Sequence, residues 1–186
     1  GVISTSLHAS MGSLFSADNK DWTRLLYRAV TYVTSWFYGI GAIGFAVLAN
    51  EFIGKIWIGE RFVVSSWTTA SGAVNQTPVA LLIGIELYLL GHANVSSLFR
   101  NTSGLFYKLR YRPILSILIN LAVSLVTVPY LGIAGCVVGT IAALLMGEIL
   151  IDAVVINKNA LEQSPGPYFL RLLFQTILIA VSGLLC

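Results

Sequence analysis

Four stretches of the chain run at about bilayer length with almost no charge. Ala29 to Asn50 and Pro113 to Gly147 contain no Asp, Glu, Lys or Arg at all. Pro78 to Phe99 carries Glu86 and His92, and Tyr168 to Cys186 carries only Arg171. A helix rises about 1.5 Å per residue, so about 20 apolar residues cross a hydrocarbon core about 30 Å thick. The run from Pro113 to Gly147 would span roughly 50 Å as one helix and is therefore read as two spans. The turn between them falls in Pro129-Tyr-Leu-Gly132-Ile-Ala-Gly135, where Pro interrupts helical hydrogen bonding and Gly permits a reversal.

The pattern thus predicts five spans, at about 29–50, 78–104, 113–130, 134–155 and 168–186, with residues 1–15 as the tail of an earlier one. Backbone polar groups in lipid must be paired within the segment, and none of these runs alternates in the manner of a barrel strand. The predicted fold class is all-α, a polytopic transmembrane helical bundle that forms a single fragment over residues 1–186. Residues 17–28 read as a short amphipathic helix lying on the membrane surface, with Asp18 as its cap, or else as a polar loop.

Composition supports the same solvent. Of 186 residues, 56% are hydrophobic and 10% charged, against about a quarter charged in soluble domains. The mean hydropathy is +0.83. Net charge is +3 with a pI near 9.0, but the 11 basic residues form small clusters and no stripe interleaved with aromatics, which excludes a nucleic-acid reading. They sort by loop instead. Lys20, Arg24 and Arg28, then Arg100, Lys108, Arg110 and Arg112, then Lys158 and Arg171 fall on one side, leaving Lys55 and Arg61 on the other. By the positive-inside tendency the richer side is cytoplasmic, which predicts a multi-pass protein of the inner (cytoplasmic) membrane. Trp57 and Trp67 near one interface, with Trp22 and Tyr27 near the other, fit aromatic belts. Cys136 and Cys186 make neither a disulfide framework nor a metal-ligand spacing. The Asn-x-Ser/Thr triplets at Asn75, Asn94 and Asn101 carry little weight, the last two lying at membrane depth or on the cytoplasmic side. Beginning at Gly1 and stopping within an apolar run, the chain is read as an excised piece whose remaining half would be a partner.

Within the spans, polar residues fall in patterns. Ser116, Asn120, Ser124 and Thr127 stack on one helical face opposite Leu, Ile and Val. Such a stripe either hydrogen-bonds a neighbouring helix and its own backbone or lines a hydrated substrate cavity. In the next span Gly135, Gly139, Ala143 and Gly147 recur every four residues, a ridge of small side chains suited to close helix packing.

Ionisable groups at depth are the sharpest signal, because each costs about 2.5–3.5 kcal/mol even on insertion scales. Glu86 shares a helical face with Ser97, Arg100 and Asn101, all within about 60° of it on the wheel. It reads as an ion-coupling group, as the pair of a basic group elsewhere in the full protein, or as an exposed end. Glu148 is the second ion-coupling candidate, and Asp152, one turn nearer the cytoplasm, is expected to be solvated at the interface. His92 faces away from Glu86 and is read as bonded to a neighbouring helix or as a proton relay. No nucleophile-base set, phosphate-binding glycine loop or metal-ligand cluster occurs, so no enzymatic activity and no cofactor are expected.

The run Asn101-Thr-Ser-Gly-Leu-Phe-Tyr-Lys108, then Arg110-Tyr-Arg-Pro-Ile, Leu118-Ile-Asn120-Leu-Ala-Val-Ser124, Leu131-Gly-Ile-Ala-Gly135 and Gly139-Thr140, resembles one transporter family. It is similar to the C-terminal half of bacterial polysaccharide transporters, the O-antigen or capsule flippase branch of the multidrug/oligosaccharidyl-lipid/polysaccharide exporter superfamily. Phe15-Ser-Ala-Asp-Asn-Lys20 followed by Leu25-Leu-Tyr-Arg28 resembles that family's cytoplasmic loop and following helix start. The resemblance implies 12 to 14 spans in two bundles around a cavity open alternately to each side. The implied cargo is a polyprenyl-pyrophosphate-linked oligosaccharide, with membrane lipid and a polysaccharide polymerase as further partners. It would place Asn120, Ser124 and Glu86 on the sugar path, with Ser116 and Thr127 beside them, and Arg100 at the pyrophosphate. Alternatives are a multidrug or peptidoglycan-precursor exporter of the same fold, and a non-transporting scaffold subunit of a glycan pathway.

Overall fold

A computed structural model of the protein describes residues 20–49, 67–68, 74–75 and 79–184. Over these residues it is an all-α bundle containing five helices long and apolar enough to cross a membrane. Helix α1 is Lys20–Ala49, α2 is Val79–Thr102 and α3 is Arg112–Leu131. Helix α4 covers residues 133–159, in three consecutive stretches Ile133–Ala142, Ala143–Leu150 and Ile151–Asn159, and α5 is Gly166–Leu184. Between α1 and α2 lies one antiparallel rung pairing Trp67 with Asn75 and Thr68 with Val74. The expected tail at residues 1–15, the Asp18 cap, Trp57 and the basic pair Lys55 and Arg61 lie outside the described residues.

The helices lie side by side in the order α5, α1, α2, α4, α3. Successive helices reverse direction. Consequently Arg24, Arg28, Arg100, Lys108, Arg110, Arg112, Lys158 and Arg171 all sit toward one end, called here the basic end. Tyr27 of α1, Phe99 of α2, Ile156 of α4, Leu161 and Tyr168 of α5 make a core there, with Tyr27 edge-on to Phe99 and stacked on Tyr168. A second core around Ala42, Tyr88, Leu89, Ala93, Leu144 and Ile149 lies deeper in the bundle. Close approach of α1 and α2 depends on Gly84 and Gly91: a Cβ at Gly84 would lie 2.9 Å from Ala42 O, and at Gly91 2.5 Å from the Tyr38 ring.

Two expectations about boundaries change. Over the described residues the expected surface helix is not separate from the first span: α1 is continuous from Lys20 to Ala49. Its sequence has no Pro or Gly before Gly39, so nothing breaks the hydrogen-bond ladder, and Thr23 and Tyr27 continue its buried face. The second difference is inside α4, where Ala143–Leu150 is wound as π-helix, with i to i+5 bonding that the sequence pattern does not announce.

The α3–α4 reversal is the tightest among the described residues. Gly132 alone joins the two helices, at φ 58°, and donates its N–H to Val128 O at 2.8 Å. A left-handed φ of that kind favours Gly, which explains why the turn sits at this residue within the predicted Pro129–Gly135 window.

Candidate functional site

Arg112 begins α3, with Pro113 immediately after it, where the missing proline N–H costs nothing. From Arg112 the positions Ser116, Asn120, Ser124 and Thr127 follow on one face, and that face lies on α4. Thr127 Oγ1 shares its one proton between Val123 O at 2.7 Å and Gly135 O at 2.9 Å. Asn120 donates through Nδ2 to Thr140 Oγ1 at 3.2 Å and accepts from Ser124 Oγ at 3.2 Å. Opposite them stand Gly135, Gly139, Ala143 and Gly147, all buried. A Cβ at Gly139 would collide with Ser124 Oγ, and one at Gly147 would come within 3.1 Å of Ser116. Stripe and ridge, read separately from the sequence, are thus the two halves of one antiparallel interface. The rest of α3, including Ile117, Leu121, Leu125 and Val126, is exposed apolar surface suited to lipid.

At the basic end this interface terminates in four charges. Arg112 Nη2 lies 2.9 Å from Glu148 Oε2, and its Nε lies 3.1 Å from Asp152 Oδ1 while donating to Gly147 O at 3.2 Å. Arg100, from the last turn of α2, donates through Nη1 to Asp152 Oδ2 at 3.0 Å and through Nη2 to Ser97 Oγ at 2.9 Å. Asp152 is 0% exposed and Arg112 9%. The expectation that Asp152 is merely solvated at the interface is therefore overturned. So is the placing of Arg112 among loop charges. Burial of one carboxylate between two guanidinium groups would be prohibitive if unpaired, and Glu148 supplies the second negative charge that makes the tetrad neutral. The contacts of Arg112 with the two carboxylates are ion-pair approaches rather than aligned hydrogen bonds: neither its Nη2 nor Asp152 Oδ1 has a hydrogen-bond partner of good geometry.

The π-helical stretch places these groups. It contains Gly147, whose carbonyl receives Arg112, and Glu148, which faces the same guanidinium. π-Bulges interrupt the regular ladder and are enriched at functional positions.

Glu86 is not part of the tetrad. It is half-buried in α2, fourteen residues before Arg100, and among the described residues it has no ion pair or side-chain hydrogen bond. Their shared helical face leaves the two roughly 20 Å apart along the axis. His92 is buried against α1: its Nε2 lies 3.2 Å from Ser35 Oγ and its ring meets Tyr88 edge-on. The Ser35 hydroxyl also lies 2.8 Å from Thr31 O and 2.9 Å from Gln175 Oε1, which joins α1, α2 and α5 at this point. Tyr88 OH and Thr176 Oγ1, 3.2 Å apart, add a further link from α2 to α5.

Sequence reasoning missed Arg112 and Asp152. The signal was present: Arg112 precedes Ser116 by one turn on the stripe, and Asp152 follows Glu148 by one turn. Among the described residues no group of three or more His, Cys, Asp or Glu side chains is arranged to hold a metal ion. No protein family, curated protein or solved structure matches the chain.

Proposed function

We propose that this chain is part of a membrane transporter of the polysaccharide-exporter type, moving a polyprenyl-pyrophosphate-linked oligosaccharide across the cytoplasmic membrane by alternating access. The sequence resemblance over residues 101–140 suggests the cargo. The observation that carries the transport reading is the buried tetrad of Arg100, Arg112, Glu148 and Asp152, which ties α2 to the α3–α4 hairpin at the basic end. Ionisable groups held inside a bundle mark transport paths more often than structural cores. In this reading the tetrad is the latch of the cytoplasmic gate. Breaking the Arg100–Asp152 bridge removes the charged tie between α2 and the hairpin at this end, while Arg112 and Glu148 stay together on α3 and α4. Glu86, unpaired in the same bundle, is the residue proposed to couple opening to an ion gradient.

The test is surface-glycan export in cells that depend on the full protein. Arg100→Gln combined with Asp152→Asn, which breaks the bridge but leaves Arg112 paired with Glu148, is expected to reduce surface glycan at least several-fold with membrane abundance retained, and Glu86→Gln to weaken export and make it insensitive to collapse of the ion gradient. Normal export by both variants at normal abundance would overturn the reading. Export of a cationic drug or a peptidoglycan precursor in place of the glycan would keep the fold and change the cargo.

One observation favours a different class. Ser116, Asn120, Ser124 and Thr127 all face α4, where Asn120 bonds Thr140 and Thr127 bonds Gly135 O, as expected of a non-transporting scaffold held together by its polar residues. Asn120→Leu separates the two: loss of export at unchanged abundance supports transport, and equal loss of both supports the scaffold.

A further inference from the structure

On the other side of the bundle, α1 and α5 enclose a cavity of about 450 Å³ at the basic end. Arg28 and Arg171 line it together with amide and hydroxyl side chains, among them Gln163, Gln175, Asn157 and Thr31, and no Asp or Glu lines it among the described residues. Among the described residues Arg28 has a single long contact, 3.5 Å from Nη2 to Gln163 Oε1. Arg171 is exposed, six residues into an apolar helix, and has no hydrogen bond or ion pair to any described residue. The amide acceptors are already committed: Gln163 Oε1 to Arg28, Gln175 Oε1 to Ser35 and Asn157 Oδ1 to Gln163 Nε2. What the cavity still offers is donors and positive charge, which fits a phosphate.

A second, almost wholly apolar groove of about 610 Å³ continues from it along the same two helices. The two spaces share Tyr32, Arg171 and Gln175, and the groove is floored by Trp36, Phe174 and Ile177. A charged chamber at the membrane interface opening into an apolar channel along the span has the amphipathic layout of a phospholipid, with headgroup at one end and acyl chain along the other. Arg28 and Arg171 are separated from the tetrad by the core of Tyr27, Phe99 and Tyr168, so their charge is not neutralised by Glu148 or Asp152.

We propose that the α1–α5 cleft is a binding site for an anionic phospholipid, its phosphate held by Arg28 and Arg171 and an acyl chain by the Tyr32–Trp36–Phe174 groove. The site requires only that the protein sit in a bilayer and is independent of the cargo. Native mass spectrometry of the purified protein, offered equal amounts of phosphatidylglycerol and phosphatidylcholine, tests it. The expected result is at least a tenfold excess of bound phosphatidylglycerol, falling several-fold in Arg28→Gln and in Arg171→Gln. Lys158→Gln, an exposed basic residue at the same end that does not line the cleft, should leave the ratio unchanged. Phe174→Ser should lower retention of both lipids alike. Should Arg171→Gln fail to accumulate, Arg28→Gln, at an exposed position, decides alone. An unchanged lipid ratio in the arginine variants would overturn the proposal. So would displacement of the lipid by inorganic phosphate at equal concentration, which would mark a free-anion site, or a carboxylate elsewhere in the full protein found cross-linked to Arg171.

Discussion

Two pairs of arginines stand at the same end of this bundle under opposite conditions. Arg100 and Arg112 are enclosed by α2, α3 and α4 and each meets a carboxylate at 3.1 Å or less. Arg28 and Arg171 face a cleft between α1 and α5 that holds no carboxylate. The contrast separates what a charge does within the fold from what it does toward the surroundings. An enclosed cation must be matched by the protein, because desolvation costs several kcal/mol, whereas a cation at an open cleft is matched by water or by a lipid headgroup. Mutations should therefore have large effects on stability in the first region and small ones in the second.

The largest effect is expected at Asp152. Asp152→Ala leaves Arg100 and Arg112 with only Glu148 between them and should destabilise the protein by about 3–5 kcal/mol, the cost of orphaning a buried ionic partner. Reversible unfolding in bicelles would measure it. Next is the ridge. A methyl at Gly139 meets Ser124 Oγ and lies 2.9 Å from Asn120 O, so Gly139→Ala should cost about 1–3 kcal/mol by forcing α3 away from α4. Gly44, where nothing lies within 4 Å of an added Cβ, is the matched control and should tolerate Ala. Asn120→Leu removes one interhelical hydrogen bond to Thr140 and should cost about 0.6 kcal/mol, at most about 1.7, by the same measurement. Smallest is Arg171→Gln, expected within about 0.5 kcal/mol in phosphatidylcholine bicelles because no protein partner is lost. A loss at Arg171 as large as that at Asp152 would erase the comparison.

The helices were legible in the sequence because their signal is a run of uncharged residues about as long as a bilayer is thick, and nothing else in the chain competes with it. The turn was legible too, since it falls within the predicted window at Gly132, whose φ of 58° favours Gly, although Pro129 lies inside α3 rather than in the turn. The stripe and the ridge could each be read as a helical face, but periodicity along one helix says nothing about which other helix that face meets. Their union becomes visible only once Gly132 folds α4 back on α3. Arg112 and Asp152 were obscured by position. Each lies near a span end, where a charge is ordinarily free to reach water, and it is the depth to which α4 continues, to Asn159, that buries Asp152. The π-helical stretch was not legible at all, because the sequence Ala143–Leu150 has neither Pro nor a polar run to mark a change of winding. Continuity of α1 through residues 20–28 was hidden by the opposite error: charges on one face suggested a surface helix, although Thr23 and Tyr27 on the other continue the core.

The central claim is that Arg100, Arg112, Glu148 and Asp152 form one neutral unit joining α2 to the hairpin. A double-mutant cycle on Arg100→Met and Asp152→Leu in bicelles tests it most directly, because removing both leaves Arg112 paired with Glu148 and the cluster still neutral. The double variant is expected to recover at least about 1 kcal/mol relative to Asp152→Leu alone, a coupling within the range of interacting residues. Losses that simply add would contradict the claim and would mean that the four charges stand near one another without acting together.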